Sequence, residues 1–371
     1  MGIRGLNKFW MFQNKSKNTG NTINAGNTKN TSSIVKLNLS TLQGKSVAID
    51  FTLYLYKFLL TDHHYLKSVL YQILKLTKFG ITPVYVFDGK APPSKNKTIE
   101  ERRNKRTKLE NKSTELKSLL DNLEIYSKKK NLNIDEIRTH LLKDINKADK
   151  SVVYIRNEYI DNTKKMLDLL QIPYMQAESE AEQYCSQLVT NNLVDYVMTE
   201  DTDVFPCGAS KVIKNFSFKD NFVQVYDYNL FLQELGLNEN QFLEMCVLFG
   251  CDYLNRPIKI GESKIYELIK SGKNYKDLYN SYLVGKECVE YEKIVKYYKD
   301  IRDTVISDEE KQKIRIILST VKKFTKKEYQ EIYLFFIQHT KLQHNVIYDK
   351  IKSYQRYMNR IYYKKDRNRG K

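Results

Sequence analysis

A chain of 371 residues has room for one large domain or two ordinary ones, at about 150 residues per domain. Charged residues make up 29% and apolar residues 41%, and no apolar run nears the roughly 20 residues that span a bilayer, so a soluble globular protein is expected. Lys and Arg number 62 against 44 Asp and Glu, a formal charge of +18 and a pI near 9.3, which points to a polyanionic partner: nucleic acid first, an anionic membrane surface second.

The opening Met1-Gly2-Ile3-Arg4-Gly5-Leu6 lacks both the apolar core of a secretory leader and the Ser or Thr that myristoylation wants at the sixth position. After a first motif over residues 1–12, the tract 13–33 is rich in Asn, Thr, Ser and Gly and has almost nothing to bury, so it reads as a disordered insertion. Ser46-Val47-Ala48-Ile49-Asp50 is a short apolar run ending in an acid. Pro83-Val84-Tyr85-Val86-Phe87-Asp88-Gly89 repeats that design after a helical stretch from about Leu53 to Phe79. Val194-Asp195-Tyr196-Val197-Met198, leading into Thr199-Glu200-Asp201-Thr202-Asp203, is a third instance. The expected fold class is therefore α/β: a twisted, mostly parallel sheet flanked by helices, with residues 34–94 and 169–290 as the two parts of its core. In such sheets the carboxyl edge of the strands is where sites are built.

Residues 95–168 are charged, helix-permissive and nearly free of Gly and Pro, which suits a helical excursion out of the sheet. Asn240 to Leu248 reads as an amphipathic helix running into Gly250-Cys251-Asp252-Tyr253, and Lys259-Ile260-Gly261-Glu262-Ser263-Lys264 as a tight turn before another helix. Residues 291–371 are helical, basic and poor in motifs, with a tail from Lys364 expected to fray.

Seven acids stand out: Asp50, Asp88, Glu180, Glu182, Asp201, Asp203 and Asp252. Each has a plain explanation when taken alone; Glu180 and Glu182 could be first-turn acids favoured by a helix dipole after a Ser179 cap. Gathered at one sheet edge they would repel each other and raise their own pKa values unless cations neutralised them. Oxygen-only ligation suits Mg²⁺ or Mn²⁺, and two such ions about 4 Å apart can activate a water and stabilise a leaving oxygen in phosphodiester hydrolysis. None of the five His stands near these acids in a ligand spacing, which disfavours zinc. The five Cys contain no C-x-x-C pair, so they read as free thiols in a reducing compartment. No nucleotide-binding glycine loop is present.

Met1-Gly2-Ile3-Arg4-Gly5-Leu6, Val47-Ala48-Ile49-Asp50, Val86-Phe87-Asp88-Gly89-Lys90, Glu178-Ser179-Glu180-Ala181-Glu182, Thr199-Glu200-Asp201-Thr202-Asp203 and Gly250-Cys251-Asp252-Tyr253 resemble, in order, the motifs of the flap endonuclease family. That family belongs to the structure-specific 5′ nucleases, as do the xeroderma pigmentosum group G nucleases. The resemblance implies a PIN-like nuclease core, a helical arch over 95–168 and a helix-two-turn-helix DNA-binding element at about 240–272. It implies cleavage of 5′ flaps in DNA replication and repair, with 5′ to 3′ exonuclease action, by two Mg²⁺ ions for which Mn²⁺ would substitute. Asp50, Asp88, Glu180 and Glu182 would lie nearer one ion and Asp201, Asp203 and Asp252 nearer the other.

By the same resemblance Lys95 and Arg102, two helical turns apart and so on one face, would contact the scissile phosphate. Tyr56 would stack on an unpaired base, and Gly2, Arg103, Gly261 and Lys264 would contact DNA, the last two beside a monovalent cation. The family's turn is usually Gly-Ile-Gly, and Lys259 replaces its first glycine here. No sliding-clamp motif follows Gln330, which leads to Tyr333 and then to Phe336-Ile337. The expected partner is branched double-stranded DNA with a 5′ single-stranded flap, bound by a monomer in the nucleus or a cytoplasmic viral replication compartment. Rival readings are a related nuclease acting on junctions, bubbles or ends, and a non-catalytic binder of DNA structures.

Overall fold

The computed structural model describes residues 2–17, 32–61, 64–123, 134–282, 288–319 and 324–369. Its centre is a seven-stranded sheet, and the strands that carry it are the apolar runs of the sequence. Parallel strands covered on both faces read as continuous apolar stretches because neither side meets water. In chain order the first half is α1 (Leu6–Lys17), β1 (Ile34–Asn38), β2 (Ser46–Asp50), α2 (Phe51–Thr61), α3 (Tyr65–Lys78) and β3 (Thr82–Phe87). Next come α4 (Asn96–Asp121), α5 (Ile134–Ser151), α6 (Asn157–Leu169), β4 (Tyr174–Gln176), α7 (Ala181–Thr190), β5 (Tyr196–Met198), β6 (Lys211–Lys214) and β7 (Phe222–Asp227). The remainder is helical: α8 (Tyr228–Leu235), α9 (Glu239–Phe249), α10 (Glu262–Lys270), α11 (Tyr275–Tyr282), α12 (Cys288–Asp303), α13 (Asp308–Ser319), α14 (Lys326–His339) and α15 (His344–Arg369).

The strand order is β1-β7-β6-β5-β2-β3-β4. β6, β5, β2, β3 and β4 run parallel, while β7 is antiparallel to both β6 and β1, so the sheet is mixed but mostly parallel. Successive side chains alternate between two cores. Ala48, Val84, Val86 and Val197 face a core closed by α1, α7, α9, α10 and α12. Val47, Ile49, Tyr85, Phe87 and Met198 face the other, closed by α2, α3, α6, α14 and α15.

Among the described residues no helix is long and apolar enough to cross a membrane. The helical stretch expected from about Leu53 to Phe79 holds two helices, α2 and α3, with residues 62–63 outside the described part. Both ends of the tract expected at 13–33 to be a disordered insertion are part of the fold. α1 continues to Lys17, and Asn14, Ser32 and Ser33 are buried. Ser33 Oγ accepts from Trp10 Nε1 (2.9 Å) and Asn14 Nδ2 (3.1 Å), and its own N–H reaches Glu234 Oε1 (2.9 Å). These polar side chains thus knit α1 to β1 and α8; residues 18–31 lie outside the described part. The backbone of α15 is helical through the basic stretch to Arg369.

Candidate active site

Each of the seven acids sits where a parallel strand or a helix ends on the same edge of the sheet. Asp50 closes β2, Asp88 follows β3, and Asp201 and Asp203 lie in the loop after β5. Glu180 is the N-cap of α7 and Glu182 lies in its first turn. Asp252 follows α9, where Gly250 takes φ +93° and a Cβ would press on the backbone of Arg256. Gly89, beside Asp88, has the same duty: its N–H donates to Ser179 O (2.6 Å), and a Cβ there would strike the backbone carbonyls of Ala177 and Glu178. The close approach of these two chain segments brings Asp88 to the start of α7, where its Oδ1 accepts from Ala181 N–H (2.7 Å).

Asp50, Asp88, Glu180, Glu182, Asp201 and Asp252 line one cleft of about 630 Å³, together with Lys95, Arg102 and Tyr56. Asp203 lies directly behind it and is almost fully buried. Gly2 is packed against the back of this cluster, at φ +84°, and a Cβ on it would overlap the Asp201 carboxylate and the Thr202 hydroxyl. Its place is structural support for the acids. Arg103 is exposed on α4 outside the cleft lining, and Gly261 and Lys264 are exposed at the start of α10. Gly261 is the α10 N-cap, and among the described residues nothing lies within 4 Å of a built Cβ, so no contact there requires a glycine. Lys264 pairs with Glu267 at 3.6 Å.

Burial and mutual repulsion dominate the electrostatics. Burial, then Asp88 and, more weakly, Asp201, push the Asp50 carboxyl up to about 8, against the Thr199 hydroxyl that donates to its Oδ2 (2.9 Å). Burial and then Glu180 raise Glu182 well above the usual carboxylate range; burial, Asp201 and Asp252 do the same to Asp203. Lys95 is itself 8% exposed and stands among these acids. Its ammonium pairs with Glu180, with Asp252 Oδ2 at 3.4 Å and with Glu182 Oε1 at 3.6 Å. Burial opposes its charge, but Glu182, Glu180 and Asp252 outweigh that and lift its pKa above the ordinary lysine value. Arg102 Nη2 donates to Asp252 Oδ2 at 2.5 Å.

Several residues that hold the site went unread in the sequence. Tyr253 donates to Glu180, Gln183 Nε2 lies 3.0 Å from Glu180 Oε2, and Tyr298 OH donates to Asp203 Oδ1 at 3.3 Å. Lys214, buried over the rings of Phe205 and Tyr226, reaches Glu200 O at 3.3 Å and is brought down to about 8 by burial. Tyr253 carried a signal, standing next to Asp252; Tyr297 and Tyr298 carried none, since their helix bears no motif.

The acids suit hard cations. Among the described residues no three of them close on one point as a finished cage. Repulsion keeps such carboxylates apart, and here one ammonium stands in their midst. Asp203 Oδ2 is nonetheless buried with no hydrogen-bond partner among the described residues, a carboxylate oxygen whose burial would be costly unless something else engages it. An all-oxygen, carboxylate-rich donor set is what Mg²⁺ or Mn²⁺ takes.

Comparison with known proteins gives the same picture. The XPG N-terminal domain matches residues 25–109 and the XPG I-region matches residues 171–252, the segments that supply all seven acids. Flap endonuclease 1 of Theileria parva is 31% identical over 289 residues, covering 70% of this chain and 53% of that protein. The chain belongs to the flap endonuclease family of the XPG superfamily. Two solved structures share the fold. The flap endonuclease-1 of Methanococcus jannaschii aligns over 88% of this chain and 96% of its own, with a TM-score of 0.60 and 22% identity. The catalytic core of Rad2 in complex with DNA substrate aligns over 96% of this chain and 100% of its own, with a TM-score of 0.59 and 21% identity. The chain spans about half the length of the flap endonuclease 1 relatives from Theileria that it matches.

Proposed function

We propose that this chain is a structure-specific DNA nuclease that cuts 5′ flaps, with associated 5′ to 3′ exonuclease action, and that it depends on two divalent ions, Mg²⁺ first and Mn²⁺ as substitute. The observation that carries the reading is the convergence of seven acids, Lys95 and Arg102 at the carboxyl edge of the sheet in a chain of net charge +18. Asp50, Asp88, Glu180 and Glu182 would hold one ion and Asp201, Asp203 and Asp252 the other. When bound, the pair would supply a water of lowered pKa and stabilise the leaving oxygen of a phosphodiester.

The chain's own side chains do the rest. The Lys95 ammonium among the acids and the more exposed Arg102 guanidinium beside Asp252 would receive a phosphate and offset the charge that grows on it during hydrolysis. Above them Tyr56, Leu53, Ile99 and Ile155 form the less polar wall of the cleft, a surface for unstacked bases leaving the duplex. Recognition in this scheme rests on the phosphates and the shape of the branch, because contacts to phosphate position a duplex without reading its bases. Gly261 and Lys264 would grip the unbroken duplex away from the cleft, with a monovalent cation at the turn, the protein acting as a monomer without a sliding-clamp motif.

The direct test is cleavage of an end-labelled 5′-flap substrate beside single-stranded, nicked and four-way-junction DNAs, with Mg²⁺ or with EDTA. Cutting near the flap base that needs Mg²⁺ and vanishes in Asp203→Ala is the expected result. Tight flap binding with no product from any DNA would instead make the protein a non-catalytic binder.

A further inference from the structure

The acids of the cleft come from residues up to Asp252, yet two of them rest on a helix that lies beyond every motif. Helix α12 packs on α7 and α9 and presents Tyr297 and Tyr298 toward the back of the cluster. Tyr298 is fully buried, and its hydroxyl donates to Asp203 Oδ1 at 3.3 Å. Because that bond takes Oδ1, it leaves Oδ2 as the buried oxygen with no partner among the described residues. Tyr297 OH lies 2.7 Å from Gln183 Nε2, the amide that also faces Glu180 Oε2 and Tyr253 OH, each at 3.0 Å. Tyr253 donates to the same Glu180 oxygen and packs edge-on against both rings, at 5.0 Å from Tyr297 and 5.6 Å from Tyr298. Its own face looks toward Lys95 Nζ, 5.6 Å from the ring centre.

Each bond has a definite consequence. A carboxylate can rotate about its last torsion, and a donor fixed to one oxygen sets where the other points. Donors behind a ligand commonly orient it and adjust its basicity, and their loss typically costs about 10- to 100-fold in metal affinity or activity. A tyrosine ring held by aromatic packing is a stiffer support for such a donor than a flexible polar chain.

We propose that α12 is a positioning element of the ion centre: Tyr298 aims Asp203 through its hydroxyl, and Tyr297 steadies Glu180 through Gln183. Neither tyrosine touches the reacting atoms. The inference rests on the two-ion reading above and extends it to a part of the chain that neither matched domain covers.

The experiment measures Mn²⁺ binding by electron paramagnetic resonance on the full chain without DNA, and thermal stability in EDTA, for the wild type, Tyr298→Phe, Tyr297→Phe and Tyr291→Phe. Tyr291 is the control: it sits on the same helix, is equally buried, and its hydroxyl donates to Glu244 O at 3.2 Å, away from the acids. The expected result is Mn²⁺ affinity about 10-fold weaker in Tyr298→Phe, a smaller loss in Tyr297→Phe and none in Tyr291→Phe. Wild-type affinity in both Tyr298→Phe and Tyr297→Phe overturns the proposal while leaving the two-ion reading intact. An equal loss in Tyr291→Phe also overturns it, since the effect would then be one of packing. Should Tyr298→Phe fail to fold, half-buried Tyr297 decides the matter: unchanged affinity in Tyr297→Phe overturns the proposal. No Mn²⁺ binding by the wild type overturns the two-ion reading itself, and the proposal with it.

Discussion

The acid edge of the sheet and the helical pair α4 and α5, where the arch was expected, meet at Lys95, and they are built by opposite means. At the edge, Asp50, Glu180, Glu182, Asp201 and Asp203 are all buried, and several are gripped by a second residue from elsewhere in the chain. The arch buries almost nothing. In α4 only Ser113 is buried, and α5 contributes Ile145 and Ala148. Chemistry that tolerates little displacement stands on the rigid part, while the part that would meet single-stranded DNA keeps few apolar contacts and so little resistance to local opening. The difference teaches that order here follows what each region must hold still.

The largest break in that comparison comes from the residue that joins the two regions. Lys95→Ala removes the one buried cation among the described carboxylates of the cleft and the group best placed to offset charge on a phosphate. Single-turnover cleavage of a 5′ flap should fall about 10²- to 10³-fold, the scale seen when one preorganised donor is lost from a charge-stabilising site. Flap binding in Ca²⁺ should change far less, because much of the positive surface lies elsewhere. Equal losses in binding and cleavage would show that Lys95 grips DNA without assisting the reaction.

Next in size is a pH effect confined to the edge. Asp50 is pushed up to about 8 in the folded protein, while unfolded it titrates near the ordinary value of about 3.8; Glu182 and Asp203 move in the same direction. A carboxyl raised on folding favours the folded state while protonated, and that advantage is lost as pH rises through the folded pKa. In EDTA the melting temperature should therefore fall between about pH 4 and pH 8. Millimolar Mg²⁺ should reverse the fall at the upper end, since an ion then takes the place of the protons. A flat profile in EDTA would mean that water or Lys95 already relieves the acids.

How legible the molecule was in its sequence follows the same division. Asp50 and Asp88 were readable because each closes an apolar run, and runs of that kind report buried parallel strands. The antiparallel strands β1 and β7 at one end of the sheet were missed: β1 has no fully buried residue and β7 mixes buried with half-exposed ones, a weaker signal than an unbroken apolar run, and β1 follows directly on a polar tract. That tract also misled, because Asn14, Ser32 and Ser33 have the composition of a linker, but Asn14 bonds to both serines and Ser33 to Trp10 and Glu234 once α1 and α8 are in place. Tyr298 could not be read at all. Among 28 tyrosines its duty toward Asp203, 95 positions away, exists only in the packed fold.

The smallest expected effect belongs to the arch and sharpens the contrast most. Ser113 Oγ donates to Asp149 Oδ1, and Lys117 Nζ pairs with Asp149 Oδ2 at 2.9 Å, a polar clasp between α4 and α5. Asp149 is nearly half exposed, so water replaces much of what the serine supplies, and Ser113→Ala should cost only about 0.5–1 kcal/mol. Because the arch shares little core with the sheet, that loss should register as local opening. Limited proteolysis within residues 96–151 should quicken by up to about five-fold, which is what 1 kcal/mol amounts to when opening precedes cleavage. The melting temperature and the Mn²⁺ affinity should stay at their wild-type values. If Ser113→Ala instead lowered the melting temperature of the whole protein, the arch would be part of the sheet's cooperative unit, and the division between a rigid edge and a yielding arch would not stand.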